Sequence, residues 1–168
     1  NNQHSDNTIS HNVLLRKLEY YGVRGPALGW FQSYLHNRTQ VVKYHDAFSS
    51  PHNVICGIPQ GTTLGPLLYL LYVNDIQSVS TICNLILYAD DCTILCKHTS
   101  NASVRTFNSE LEKFSVWFSC NSLSVNLSKT NHMFFSSKKS NTHLIEIVFN
   151  DTKLTQVSHT NFLGIIID

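Results

Sequence analysis

The stretch LILYADDCTILC, Leu85–Cys96, is the most informative part of this sequence. Two apolar runs flank a pair of adjacent carboxylates, Asp90 and Asp91, and the residues on either side are typical of strands. The pattern therefore predicts a β-hairpin with both carboxylates at its tip. Adjacent side chains on a strand point to opposite faces, but at a tight turn both can approach one site.

The acidic pair lies in a part of the chain that has few cations. Residues 56–97 contain three acidic side chains and one lysine. Negative charge concentrated in this way needs water or a bound cation, and Mg²⁺ prefers carboxylate oxygens as ligands. Because aspartate is also common in turns for local hydrogen bonding, the pair alone fits either a metal site or a solvated loop tip.

The composition is that of an ordinary globular chain. Of the 168 residues 42% are hydrophobic and 14% are charged, which argues against intrinsic disorder. Twelve Lys and Arg against eleven Asp and Glu give a net charge of +1, so no overall basic field indicates a nucleic-acid partner. No apolar run is long enough to cross a bilayer, and the polar first ten residues contain no signal peptide, so we expect an intracellular protein of the nucleus or cytoplasm. Five cysteines without CxxC spacing fit a reducing compartment, each expected to be a small buried hydrophobe.

The rest of the chain mixes helical and strand patterns. Helices are expected over residues 13–21, 26–35, 64–76 and 104–118, and strands over 39–44, 53–56, 132–135, 144–149 and 159–167. This order, without regular βαβ alternation, predicts one α+β domain over residues 1–168, with an antiparallel sheet and helices on one side. Because the chain lacks a first Met and stops within an apolar run, we expect a partial domain that is truncated at both ends.

A glycine-rich segment, GIPQGTTLGP at residues 57–66, precedes the third helix. Its glycines let the backbone approach a ligand, Pro59 fixes the turn, and Gln60 can contact a base edge or a backbone group. Thr62 or Thr63 can cap the helix, whose N-terminal amides favour an anion such as phosphate. The simpler alternative is a strand-to-helix turn with a capping threonine.

Two further segments are weak signals when taken alone. The polar turn NLSKT, residues 126–130, contains one lysine after the amphipathic helix, and a lone lysine is commonly a solvated surface charge. The apolar segment NFLGI, residues 161–165, contains one glycine, which is also typical of a bulge or of close packing in a strand.

The order and spacing of these four motifs resemble those of the reverse transcriptase family. GIPQG with LGP, then YADD, then the asparagine and lysine of NLSKT, and finally FLG occur in the family's order. The likeness is greatest to the reverse transcriptase domain of non-LTR (LINE-type) retrotransposons, and it runs from about His11 to the last residue. Four motifs in one fixed order are hard to obtain by chance.

The resemblance implies a right-hand polymerase fold. Its palm would be an RRM-like antiparallel sheet with helices on one face, and part of the fingers would accompany it. The implied activity is extension of a DNA primer on an RNA template with deoxynucleoside triphosphates. Two divalent ions, Mg²⁺ or Mn²⁺, are the implied cofactors.

The resemblance also implies roles for individual residues. Asp90 and Asp91 would be catalytic and metal-binding, with Asp90 the main ligand and Asp91 accessory. Lys129 would donate a proton to the leaving pyrophosphate. The implied nucleotide- and template-binding residues are Pro59, Gln60 and Gly61, and the implied primer grip is Phe162, Leu163 and Gly164.

The sequence departs from the family at the first catalytic motif. In relatives the residues shortly before His11 read Asp-Leu-Ser-Lys-Ala-Phe-Asp, whereas residues 1–7 here read NNQHSDN. Asn1 therefore stands where the first catalytic Asp is expected, and Asp6 stands where an aromatic sugar-selecting side chain is expected. An amide lacks the charge of a carboxylate, so the chain alone is expected to be inactive. Either it is part of an active polymerase whose first Asp lies in preceding sequence, or it is an inactive or co-opted palm that at most binds nucleic acid.

Overall fold

A computed structural model describes residues 9–59, 61–97, 101–135 and 146–168, with only the backbone described for 101–103. The helices are α1 (His11–Tyr20), α2 (Pro26–Leu35), α3 (Leu64–Val73), a 3-10 helix (Asn74–Val79) and α4 (Asn101–Cys120). The strands are β1 (Arg38–Gln40), β2 (Lys43–Tyr44), β3 (Ala47–Phe48), β4 (His52–Val54), β5 (Cys83–Tyr88), β6 (Asp91–Cys96), β7 (Asn131–His132), β8 (Val148–Phe149), β9 (Thr152–Lys153), β10 (Thr155–Gln156), β11 (Thr160–Phe162) and β12 (Ile165–Ile167). The predicted mixture of helices and strands is confirmed.

Each described strand pairs with one partner. The pairs β1–β4, β2–β3, β5–β6, β8–β9 and β11–β12 are antiparallel, and β7–β10 is parallel. Most of the pairing therefore comes from local hairpins, in which a short turn brings two successive strands together.

The chain forms two compact units. The described residues of the first unit are 9–59, 61–76 and 119–123, and those of the second are 77–97, 101–118, 124–135 and 146–168. Within the described part of the chain, no helix combines the length and apolar character needed to cross a lipid bilayer.

Helix α1 is the centre of the first unit and packs on both α2 and α3. The fully buried side chains of this core are Leu14, Leu18, Leu35, Leu68, Tyr72 and Ile76. At the end of α3, the Lys17 Nζ donates hydrogen bonds to Tyr72 O (2.5 Å) and to Asp75 Oδ1 (2.6 Å). Burial lowers the pKa of Lys17, and the ion pair with Asp75 opposes this shift. These contacts fix α1 against the end of α3.

Helix α4 is the longest element of the second unit. Its Leu111 and Phe114 are buried, as are Ile147, Phe149 and Leu154 from the region of β8 and β9. The Asn108 side chain donates to Glu146 O (3.1 Å) and accepts from Val148 N (3.2 Å). This side-chain amide bridges two backbone groups and so attaches the start of β8 to the helix.

Several predicted elements differ from the structure. The third helix begins at Leu64 as predicted but ends at Val73, and the 3-10 helix covers the remainder. The single strand predicted over 159–167 is wrong, because β11 and β12 form a hairpin with Leu163 and Gly164 as its turn. Leu163 has φ 51° and Gly164 φ 86°, which a two-residue hairpin turn requires. The apolar leucine concealed this turn in the sequence.

Candidate active site

The hairpin of β5 and β6 carries the acidic pair, as the sequence predicts. Tyr88 pairs with Asp91, so the turn between the strands contains only Ala89 and Asp90. Ala89 has φ 49°, a left-handed conformation that tight hairpin turns use and that a Cβ atom disfavours. Asp90 therefore lies in the turn itself, and Asp91 begins β6.

Both carboxylates are exposed. Asp91 shares one face of the hairpin with Tyr88, which is 64% exposed, because directly paired residues project to the same side. Among the residues that the structure describes, no cationic side chain forms an ion pair with Asp90 or Asp91. The hairpin thus presents two neighbouring negative charges without an internal counter-charge, which is an arrangement suited to a cation.

The opposite face of the hairpin is buried at its base, away from the turn. Cys83 pairs with Cys96 on this side, and Cys83 is 8% exposed. Burial raises the pKa of the Cys83 thiol to about 11, so it stays protonated and acts as a packing residue. All five cysteines are free thiols, but the prediction that each is buried is met only by Cys83. Cys56 and Cys96 are half-buried, and Cys92 and Cys120 are exposed.

The start of the glycine-rich segment is attached to the residues that precede α1. Gly57 N donates to Ile9 O (2.8 Å), and the His11 Nε2 donates to Gly57 O (2.7 Å). Ser10 and Cys56 form an antiparallel bridge between these contacts. His11 is 5% exposed, and its partly buried hydrogen bond fixes the backbone at Gly57.

The rest of this segment is a turn that leads into α3. The Thr62 Oγ1 donates to Pro59 O (2.8 Å) and accepts from the Tyr34 hydroxyl (3.0 Å). The predicted side-chain cap is therefore wrong: Thr62 closes the turn instead, and Thr63 at the N-cap position forms no capping hydrogen bond. Gly61 is exposed with φ 73°, and Gln60 lies outside the described residues.

The two remaining predicted sites are also exposed turns. The Lys129 N–H donates to Asn126 O (3.1 Å), and both the N–H and the hydroxyl of Thr130 donate to the same carbonyl. The backbone at Lys129 is therefore fixed while its side chain extends into solvent. Leu163 and Gly164 lie at the tip of the β11–β12 hairpin, and Phe162, the last residue of β11, is half-buried.

The structure brings only some of these residues together. Asp90 and Asp91 are neighbours in one turn, and Lys129 forms an ion pair with neither of them in the described part of the chain. Among described residues, no three His, Cys, Asp or Glu side chains meet in a group that could hold a metal ion. Asn1 and Asp6 lie outside the described residues.

His11 is the residue of this region that sequence reasoning missed. Its position in the sequence marks only the start of α1, and its partner Gly57 is 46 residues away. A long-range contact of one imidazole with one carbonyl leaves no periodic signal in the sequence.

Comparison with known proteins agrees with the order of the motifs. A family model described as reverse transcriptase (RNA-dependent DNA polymerase) matches residues 7–167. The probable RNA-directed DNA polymerase from transposon X-element of Drosophila melanogaster is 32% identical over 85% of this chain and 16% of its own length. That from transposon BS of the same organism is 28% identical over 99% of this chain and 19% of its own. The RNA-directed DNA polymerase from mobile element jockey of Drosophila funebris is 27% identical over 71% of this chain and 14% of its own.

The chain thus spans less than a fifth of the length of these curated relatives. The family model nevertheless covers nearly all of the chain, including all four motifs. This protein therefore belongs to the reverse transcriptase (RNA-dependent DNA polymerase) family.

Proposed function

We propose that this chain is part of the palm and fingers of an RNA-directed DNA polymerase encoded by a non-LTR retrotransposon. The polymerase would extend a DNA primer on an RNA template, with deoxynucleoside triphosphates as substrates. The observation that carries the proposal is the tight turn that holds Asp90 and Asp91 side by side in solvent without a cationic partner among the described residues. The names of the relatives support the same activity.

The proposed palm is an antiparallel sheet with helices on one face. Its support is the β5–β6 hairpin, together with α4, whose buried residues lie in the same compact unit. A sheet would give the acidic turn a rigid base, because strands joined by backbone hydrogen bonds move less than loops.

The acidic turn fits a divalent cation. Two carboxylates supply hard oxygen donors, and Mg²⁺ typically binds one or two carboxylates while water and substrate phosphates complete its coordination. Asp90 and Asp91 would hold Mg²⁺ or Mn²⁺, two ions in the intact polymerase. When bound, such ions stabilise the attacking and leaving oxygens of phosphoryl transfer.

The other predicted residues would bind and orient the substrates. The exposed Lys129 ammonium would donate a proton to the leaving pyrophosphate. Pro59, Gln60 and Gly61 would border the incoming nucleotide and the template, where the missing side chain of Gly61 allows close approach. The primer would lie on the β11–β12 turn, whose residues are Phe162, Leu163 and Gly164.

Metal binding by the purified chain tests the acidic turn directly. We expect Mn²⁺, followed by its electron paramagnetic resonance signal, to bind the wild-type chain. Even outer-sphere partners of a metal contribute about 10–100-fold in affinity, so Asp90→Asn should weaken binding by at least about 10-fold. Asp151→Asn is the matched control, because Asp151 is an exposed carboxylate with φ 56° in the turn between β8 and β9. Equal Mn²⁺ affinity in the two variants would refute the assignment.

A second candidate function is an inactive or co-opted palm that at most binds nucleic acid. The observation that favours it is Asn1, which stands where the family's first catalytic Asp is expected. Its neutral amide would leave the ion site with less negative charge. Under this alternative the chain would bind nucleic acid and never extend a primer.

A further inference from the structure

A cavity of about 270 Å³ lies in the first unit, where the start of α1, the end of α2 and the base of the β1–β4 hairpin meet. Its polar lining comes mainly from His11, His36, Arg38, Asn37 and Asn53. None of the residues assigned above to metal, nucleotide or primer lines this cavity. The proposed polymerase site therefore assigns no ligand to this cavity.

The lining carries positive and neutral donors and no acid. None of its residues is Asp or Glu. Arg38 is exposed, and among the described residues no carboxylate lies within ion-pair distance of its guanidinium, which lies 5.8 Å from the centre of the Tyr34 ring. A planar guanidinium with free N–H groups is well suited to bidentate contact with a phosphate.

Two imidazoles beside Arg38 have fixed orientations. The His11 Nε2 lies 2.7 Å from Gly57 O, and the His36 Nδ1 lies 2.9 Å from Gln32 O. Because a carbonyl oxygen only accepts hydrogen bonds, both of these nitrogens carry a proton. Both of these N–H groups are therefore occupied by protein carbonyls. The side-chain amides of Asn37 and Asn53 supply neutral donors in the same cavity.

We propose that this cavity binds a phosphate group, carried either by a free nucleotide or by a nucleic-acid strand. Its volume is somewhat below the about 300–1,000 Å³ of typical small-molecule sites, which suits one phosphate and its adjoining sugar. Arg38 provides the charge, and the side-chain amides of Asn37 and Asn53 provide further hydrogen bonds. The ligand belongs to the broad substrate class of the proposed polymerase, but this cavity is separate from the acidic turn.

The neighbouring hairpin favours a strand over a free nucleotide. From residue 38 to residue 53 every residue is exposed, including Lys43 and Tyr44 of β2 and Phe48 of β3. Single-stranded nucleic acid binds where cations contact phosphates and aromatic rings stack on bases. The one acidic residue of this hairpin, Asp46, lies in the β2–β3 turn at the opposite end from the cavity.

Binding of a labelled 20-nucleotide single strand, measured by fluorescence anisotropy over a salt series, tests the proposal. Loss of one phosphate contact should reduce the slope of log K against log salt by about 0.7 for a single strand. We expect this reduction in Arg38→Gln, with about 10-fold weaker binding at low salt because one charge-assisted hydrogen-bond pair is lost. The control is Arg24→Gln, since Arg24 is exposed and does not line the cavity. Equal slopes and affinities for the two variants would overturn the proposal.

Competition distinguishes the two sources of phosphate. If a strand is the ligand, inorganic phosphate and dATP should displace it only at concentrations high enough to weaken its binding by raising the ionic strength. Saturable displacement by dATP that Arg38→Gln abolishes would assign the cavity to free nucleotides instead. No binding of the strand, dATP or inorganic phosphate at low salt would refute the site. Asn53→Asp, which adds a negative charge to the lining at an exposed position, replaces Arg38→Gln if circular dichroism shows that the latter is unfolded.

Different substitutions should abolish binding at the two proposed sites. Asp90→Asn is expected to lose Mn²⁺ affinity and to keep strand affinity, and Arg38→Gln is expected to do the reverse. Strand binding that Asp90→Asn weakens as much as Arg38→Gln does would contradict a separate phosphate site.

Discussion

A single backbone angle positions the acidic pair. Ala89 occupies the left-handed region with φ 49°, where glycine, asparagine and aspartate are usual and other residues are uncommon. The conformation allows a turn of only two residues, which brings Asp90 to the tip and Asp91 to the first position of β6. Backbone strain at this position therefore supports the geometry of the site.

The stability of variants at position 89 should depend on how well the new residue tolerates a positive φ. Ala89→Val is expected to lower the free energy of unfolding by about 1–2 kcal/mol, because a β-branched side chain is strongly disfavoured there. Ala89→Asn should be at least as stable as the wild type. Urea unfolding provides the measurement, and Ala47→Val in the exposed strand β3 is the control for valine itself. Equal stability of Ala89→Val and Ala89→Asn would show that this turn is not strained.

His132 is the residue whose titration should affect stability. Both ring nitrogens are buried, and neither has a hydrogen-bond partner within the described part of the chain. Burial lowers the pKa of His132 below its ordinary value of 6.5, and the nearby Lys153 lowers it further. The unfolded state therefore binds a proton more readily than the folded state, so stability is complete above pH 6.5 and is lost as the pH falls below it.

This pH dependence is measurable by urea unfolding at pH 7.5 and pH 5.5. The wild-type chain should lose stability between the two values, and His132→Leu should lose less. His52→Gln, which changes an exposed histidine of β4, should behave as the wild type does. The hydrogen bond with Lys113 lowers the pKa of Glu110 below its ordinary value of 4.5. Protonation of Glu110 therefore affects stability only below about pH 4.5, outside the range of this measurement. Equal pH dependence in His132→Leu and the wild type would exclude His132 as the cause.

At the scale of elements, strong periodic patterns predicted the structure well. The apolar spacing over 104–118 predicted α4, and Pro26 predicted the first residue of α2. The β11–β12 hairpin was missed because Leu163 continues an apolar run and the turn depends on two positive φ angles. A pattern of burial therefore predicts an element but not a chain reversal within it.

Helix α4 supports the core of the second unit through one aromatic side chain. Phe114 is fully buried, and truncation of a buried phenylalanine typically costs about 3–5 kcal/mol. We expect Phe114→Ala to unfold at much lower urea concentration than the wild type. Val116→Ala on the exposed face of the same helix should change stability by less than about 0.5 kcal/mol. Similar losses in both variants would show that α4 does not pack as the structure describes.

At the scale of the whole molecule, the net charge and the number of carboxylates at the ion site determine how strongly the isolated chain binds nucleic acid and metal ions. Its net charge of +1 gives little general attraction for nucleic acid, so binding must depend on local groups such as Arg38. Its acidic turn supplies two carboxylates, and Asn1 stands where the resemblance implies the first catalytic Asp. A phosphoryl-transfer site with too little negative charge holds its metal ions weakly.

The isolated chain is accordingly expected to be inactive. Primer extension on an RNA template with Mg²⁺ or Mn²⁺ should yield no product above a reaction without protein. Asp90→Ala and Asp151→Ala serve as the matched pair if product forms. Extension that Asp90→Ala abolishes and Asp151→Ala preserves would contradict the expected inactivity and would assign catalysis to the acidic turn.

The sequence by itself determined the family, the acidic hairpin and the main helices. These features depend on local patterns: motif order, period-2 or helical spacing of apolar residues, and proline at a helix start. Only the tertiary structure decided that His11 holds Gly57 and that Thr62 closes the turn at Pro59. It also placed Arg38 beside two imidazoles in one cavity. Such contacts join residues that are distant in sequence or depend on backbone angles, and neither leaves a repeating pattern in the chain.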